Sequence, residues 1–263
     1  MEILGYVAAL FVGVSLGLIG GGGSILTVPV LVYLFHVSPL IATSYSLFIV
    51  GTTSLVGAVK NYYKGQISIR TSVVFGSSSI VTVFLIRRLV IPLIPKVIFN
   101  IGSFEVTQNL LTMLVFAVLM LSASFSMISS NGIEAKSSTR KFAIEKIILF
   151  GILIGLVTGF LGAGGGFLII PTLVLIMKLP MKQAIGTSLL IIAFNSLIGF
   201  TGDFGHFELN WLFLLSITAL AIVGLFIGNA LGAKIKGQRL KKGFGWFVLV
   251  MGMCIIFHEL FYN

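Results

Sequence analysis

Apolar residues run in long unbroken blocks along this chain, and polar positions fall almost entirely between them. The blocks cover 3–19, 25–35, 40–59, 71–86 (continuing weakly to 94) and 109–128. A polar stretch, SSNGIEAKSSTRKFAIEK at 129–146, follows. Five more blocks cover 147–161, 167–177, 184–200, 211–231 and 243–260. A spanning helix needs about 20 mostly apolar residues. Strands of a membrane barrel alternate apolar with polar positions instead. These blocks are continuous, so the pattern predicts an all-α polytopic membrane protein. Its units are a first membrane repeat at 1–128, a polar linker at 129–146 and a second membrane repeat at 147–263.

Composition agrees with the pattern. Of 263 residues, 57% are hydrophobic and 9% charged, and the mean hydropathy is +1.15. A soluble domain carries about 25% charged residues. The first residues, MEILGYVAALF, lack a basic region and a small-residue cleavage signature, and read as a retained helix rather than a signal peptide. The single cysteine, Cys254, lies in an apolar run and reads as packing. The net charge of +10 sits in the connections, which points to membrane topology and not to nucleic acid.

The two halves repeat. Shifting the chain by 142 positions aligns 13–57 with 155–199 without a gap, and 16 of those 45 positions are identical. The matches include Gly13/Gly155, Gly17/Gly159, Gly20/Gly162, Gly22/Gly164, Gly23/Gly165, Pro29/Pro171, Ser46/Ser188 and Ser54/Ser196. Five crossings per half is an odd number, so the second half enters from the opposite side and the repeat is inverted. With the linker in the cytoplasm, alternate crossings place 14 of the 17 basic residues inside. Arg87, Arg88 and Lys96 fall outside, with both termini and the acidic loop GDFGHFELN. A rival arrangement makes 25–35 and 167–177 re-entrant and puts the 234–242 basic cluster outside, against the charge bias. The chain is therefore expected to be multi-pass in the cell membrane with both termini outside.

Two stretches carry the candidate chemistry: GLIGGGGSILTVP from Gly17 and GFLGAGGGFLIIP from Gly159. Each is followed by a segment of the type A-x-G-T-S-L. It is intact from Ala184 to Leu189, and altered from Ala42 to Leu47, where Ser44 and Tyr45 replace Gly and Thr. The doubled Gly-rich break with its following motif resembles the sulfite exporter TauE/SafE family of membrane proteins over nearly the whole chain. That resemblance implies a transporter of small anions, especially sulfur oxyanions and organosulfonates (sulfite, thiosulfate and sulfoacetate type). It implies a small anionic substrate and the lipid bilayer as partners, with no cofactor and no nucleic acid.

Physical chemistry gives the glycines a role. The blocks behind them are 11 residues long, about 16 Å as helix, roughly half the hydrocarbon thickness. They read as broken helices whose glycines lie near the membrane interior. Unwound backbone is tolerated there only in protein or along a cavity. Helix starts at Ser24 and Gly166, facing each other across an inverted repeat, offer N–H groups and positive potential to an anion without a fixed cation. The expected site is the backbone at Gly20, Gly21, Gly22, Gly23 and Ser24 with Gly162, Gly164, Gly165 and Gly166. Hydroxyl and amide donors come from Ser44, Ser46, Thr187, Ser188 and Asn195, with Thr43 also in reach. Alternatively these hydroxyls bond their own helix backbone. Gly13, Gly17, Gly155 and Gly159 fit small-residue packing between helices.

Charged residues add little to this picture. No acidic residue lies in the middle of an apolar run, so the usual proton-relay carboxylate is missing. Asp203 and His206 read as a solvated loop or as guards of an outer mouth. His36 and His258 read as interfacial, and Lys60 as topological or as an attractor of anions at the inner mouth. An intramembrane enzyme and a membrane scaffold are the competing functions. The first lacks a metal cluster, paired carboxylates or a nucleophile set within the runs. The second needs no polar centre.

Overall fold

The computed structural model describes residues 2–95, 97–101, 104–129, 144–162, 164–203, 209–232 and 237–261. Most of the linker expected at 129–146 lies outside the described residues, as do Lys96, His206, Glu208, Lys234 and Lys236.

The first half begins with helix α1 (Glu2–Ile19), broken at Gly20. A 3-10 turn (Gly21–Leu26) leads into the short helix α2 (Thr27–Tyr33). Two long helices follow, α3 (Pro39–Tyr63) and α4 (Ile69–Leu85). The second of these continues through a π-helical turn (Ile86–Val90) and a 3-10 turn (Ile91–Leu93). After an antiparallel hairpin of β1 (Val97–Ile101) and β2 (Phe104–Thr107) comes α5 (Gln108–Ser129). The second half runs α6 (Ile144–Leu161), α7 (Gly166–Pro171), a π-helical turn (Thr172–Ile176), α8 (Met181–Gly202), α9 (Trp211–Gly232) and α10 (Gly237–Phe261).

Among the described residues, six helices are long and apolar enough to cross a membrane by length and composition, and three shorter apolar helices accompany them. Large apolar side chains cover the outside, such as Phe11, Val73, Val118, Phe125, Leu153 and Leu215. Continuous apolar surface of this kind belongs against lipid. The hairpin was not expected from the apolar blocks. Its strand residues Val97, Ile98 and Phe99 are β-branched or aromatic, which suits a pleated ribbon.

Helix packing is reciprocal between the halves. α1 packs along α9 and α6 along α4, while α3 pairs with α8 and α5 with α10. Exchanging the halves leaves this set of pairs unchanged. The glycines give the directions. On α3 and α8, Gly199 faces Leu47, Gly57 faces Leu189 and Gly186 faces Asn61, so these two helices are antiparallel. Gly13 and Gly17 press on the backbone of Ala221 and Leu225, so α1 and α9 run parallel. Gly155 presses on Ser79 and Thr82 of α4 and Gly159 on Ile86 of the π-helical turn that continues it, again in parallel. These four glycines make close helix–helix contacts, the packing role that small residues serve in membranes. α3 and α8 form the centre, each with 67% of its most apolar window buried, against 33–44% for the other long helices.

Candidate functional site

Each Gly-rich break turns the chain with backbone angles that L side chains rarely adopt. Gly20 has φ +76° and its repeat partner Gly162 has φ +64°, followed by Gly164 and Gly165 at +66° and +67°. Only glycine reaches this region at little cost. The breaks then meet between α3 and α8. A β-carbon on Gly21 would lie 2.5 Å from the α-carbon of Gly166, and one on Gly166 would strike the Gly21 carbonyl. Gly164 faces Val50, Ile192 and, at 3.2 Å from its β-position, the Ser196 hydroxyl. Gly165 abuts the Thr158 hydroxyl, and Gly23 abuts Ser15.

The first break differs from its expectation. α7 starts at Gly166, but the α-helix of the first half starts at Thr27 and not at Ser24. The Ser24 hydroxyl donates to the Gly21 carbonyl at 2.7 Å, a local bond that suits a tight 3-10 turn. A short turn carries little of a helix macrodipole, so backbone potential there is weaker than a true helix start provides.

The polar residues fall into two groups. In the centre, Asn195 donates to the Ser79 hydroxyl at 2.6 Å. The Asn195 carbonyl oxygen and the hydroxyls of Thr53, Ser54, Thr158 and Ser196 are buried without a hydrogen-bond partner. Ser44 and Ser46 are likewise buried and unpartnered. Thr187 and Ser188 lie nearer the start of α8, about 12 Å along the helix from Asn195. The Ser188 hydroxyl donates to the Ile185 carbonyl at 2.8 Å. The Thr187 hydroxyl accepts the Ser68 N–H at 3.0 Å, where α4 begins. Its repeat partner Tyr45 accepts the Asn210 N–H at 2.8 Å, where α9 begins. These mirrored bonds hold the first turns of equivalent helices. The structure thus brings Gly164 against Ser196 and Gly165 against Thr158, while Gly20 packs on Ile185, whose carbonyl accepts the Ser188 hydroxyl, and Thr187 is engaged with the start of α4.

Arg87 belongs to this region, although the sequence pattern assigns it to an outer connection. It is fully buried at the end of α4. Its Nη1 donates to Asp203 Oδ2 and to the Thr43 hydroxyl, both at 3.1 Å. Its Nε and Nη2 have no partner. A β-carbon on Gly162 would lie 2.6 Å from Nη2, so the second break makes room for the guanidinium. Asp203, read as part of a solvated loop, is 4% exposed. By the repeat offset Arg87 corresponds to Asn229 and Asp203 to Asn61, beyond the gap-free stretch, and the structure places both counterparts inside helices. A fixed cation therefore stands beside the glycines, contrary to the expectation of a site without one. A separate groove of about 310 Å³ between α4 and α8, lined by Val73, Ile80, Ile191 and Phe194, is almost wholly apolar.

The profile of the sulfite exporter TauE/SafE family matches residues 6–255. The chain belongs to this family. Relatives carry the same kind of description. A probable membrane transporter protein of Xylella fastidiosa (strain Temecula1) is 29% identical over 254 residues, covering 94% of this chain and 92% of that protein. The probable membrane transporter protein YunE of Bacillus subtilis is 25% identical, covering 97% of each chain. A probable membrane transporter protein of Haemophilus influenzae is 26% identical, covering 92% of each. No solved structure matches the chain. As a TauE/SafE member with long apolar helices, the protein is a multi-pass membrane protein of a transporter family.

Proposed function

We propose that this TauE/SafE member carries small anions, sulfur oxyanions or organosulfonates of the sulfite, thiosulfate and sulfoacetate type, across the cell membrane. Transport is by alternating access, with the two halves acting as an inverted repeat around one central site. That site comprises the backbone at Gly20–Ser24 and Gly162–Gly166, with Asn195, Ser44 and Ser46 as donors. Thr187 and Ser188 line the path toward the start of α8. The chain acts as a carrier and not as an enzyme.

The observation that carries the reading is the meeting of Gly21 with Gly166 beside buried polar groups that lack partners. Irregular backbone in a membrane interior belongs where it lines a substrate path. Buried hydroxyls without partners are costly unless a ligand uses them. The antiparallel α3/α8 pair and the reciprocal helix pairing support two halves that exchange roles. Purified protein in proteoliposomes, assayed with sulfite, thiosulfate, sulfoacetate, chloride, sodium and a sugar, tests the proposal. Flux of an anion from the first three is expected. Flux of a cation or sugar with none of these anions overturns it.

A further inference from the structure

Arg87 uses its guanidinium in an unusual way. Both of its partners, Asp203 and Thr43, are served by the single nitrogen Nη1. The two nitrogens without partners, Nε and Nη2, share one edge of the planar group. Their N–H bonds point the same way and form the fork that receives two oxygens of one oxyanion. The residue is fully buried, so the fork is out of bulk water. Gly162 sits directly against Nη2. Along α3, Thr43 is about 10 Å from Val50, which faces Gly164 at the junction of the two breaks. The fork therefore lies at the edge of the central region.

The repeat shows how one-sided this arrangement is. The positions equivalent to Gly162, Thr43, Arg87 and Asp203 are Gly20, Ile185, Asn229 and Asn61. Gly20 indeed packs on Ile185, as Gly162 packs on Thr43. The glycine contact is kept at both ends, but Asn61 donates to the Gly57 carbonyl and Asn229 Nδ2 has no partner, so the Arg87–Asp203 pair has no counterpart in the first break.

We propose that the free Nε/Nη2 fork of Arg87 is an oxyanion-binding site at one end of the transport path, and that Asp203 is its built-in competitor. The Asp203 carboxylate neutralises the guanidinium when no anion is held and weakens its grip when one is. A pyramidal or tetrahedral oxyanion with two oxygens on one side fits the fork, and a monatomic halide does not. This inference rests on the reading of the protein as an anion transporter.

The test uses purified full-length protein in detergent, titrated calorimetrically with sulfite, sulfate, methanesulfonate and chloride at matched ionic strength. Wild type is expected to bind at least one of the oxyanions more tightly than chloride. Arg87→Lys keeps the charge and loses the fork; its oxyanion affinity is expected to fall about tenfold with chloride affinity unchanged. Asp203→Asn removes the competitor and is expected to raise oxyanion affinity about tenfold. Should either variant fail to fold, Arg87→Gln/Asp203→Asn, which removes both charges together, takes its place and is expected to lose the oxyanion preference. Oxyanion affinity unchanged in the folded variants, with only melting temperature altered, makes the pair a structural clamp and overturns the inference. Wild type binding and transporting no oxyanion overturns the transporter reading itself, a different result from variants that bind like wild type.

Discussion

The Ser196 hydroxyl is buried beside Gly164 and has no hydrogen-bond partner. A structural hydroxyl at such a place normally finds one, because an unmet buried donor costs about 1–3 kcal/mol. Ser196→Ala removes the unmet group and very little volume. Its stability is expected to equal or exceed wild type, while anion flux per folded molecule falls several-fold. A flux equal to wild type places Ser196 outside the path. Glycines give a second residue-scale contrast. A β-carbon on Gly13 would strike the Ala221 carbonyl, whereas one on Gly76 would meet only Ile191 at 3.9 Å. Gly13→Ala is therefore expected to destabilise by about 1–3 kcal/mol through overpacking. Gly76→Ala should stay within about 1 kcal/mol of wild type, with any gain coming from helix propensity. Chemical denaturation in detergent measures both. These glycine roles were legible in the sequence, since spacing marked Gly13 and Gly17 for packing and clustering marked Gly20–Gly23 for a break. The burial of Arg87 was not, because a doubled arginine at the end of an apolar run reads as a boundary charge.

At the scale of elements, Thr187 and Tyr45 do the same work for different helices. Each accepts a backbone N–H at the start of a long helix of the other half, Ser68 for α4 and Asn210 for α9. Thr187→Val keeps the shape and removes the acceptor; Tyr45→Phe does the same at the other end. Each is expected to cost about 1 kcal/mol, read as a lowered melting temperature. Combined in one chain, the two losses should add, since the bonds lie at opposite ends of the α3/α8 pair. Strong coupling between them would show that the two helix starts do not act independently. Most elements follow the apolar blocks, because continuous apolar length decides helix formation in lipid. The β1/β2 hairpin and the π-helical turns did not show in that pattern. Their hydrogen bonding depends on local geometry, which hydropathy does not encode.

Across the whole molecule, the buried ion pair alters the charge count behind the topology. The orientation of a membrane protein follows basic residues in short loops near the helix ends. Arg87 is enclosed against Asp203 and is no longer a loop charge. Of the three basic residues assigned to the outer side, Arg88 and Lys96 are left, against 14 inside. The bias toward both termini outside is therefore stronger than the bare sequence suggested. The antiparallel course of the equivalent helices α3 and α8 fits termini that share a side. If the halves cross in opposite senses, each with an odd number of crossings, the two termini share a side and the linker lies opposite. A fluorescent or enzymatic compartment reporter fused to the C-terminus is expected to report the outside, and one inserted at Ser137 in the linker the cytoplasm. Moving the Lys60, Lys64 and Arg70 cluster to neutral residues should weaken this preference and yield a mixed population, because those charges hold the first half in place. Reporters that place the C-terminus and the linker on one side would mean an even number of crossings in the second half. The halves would then not be inverted, and alternating access between them would lose its structural basis.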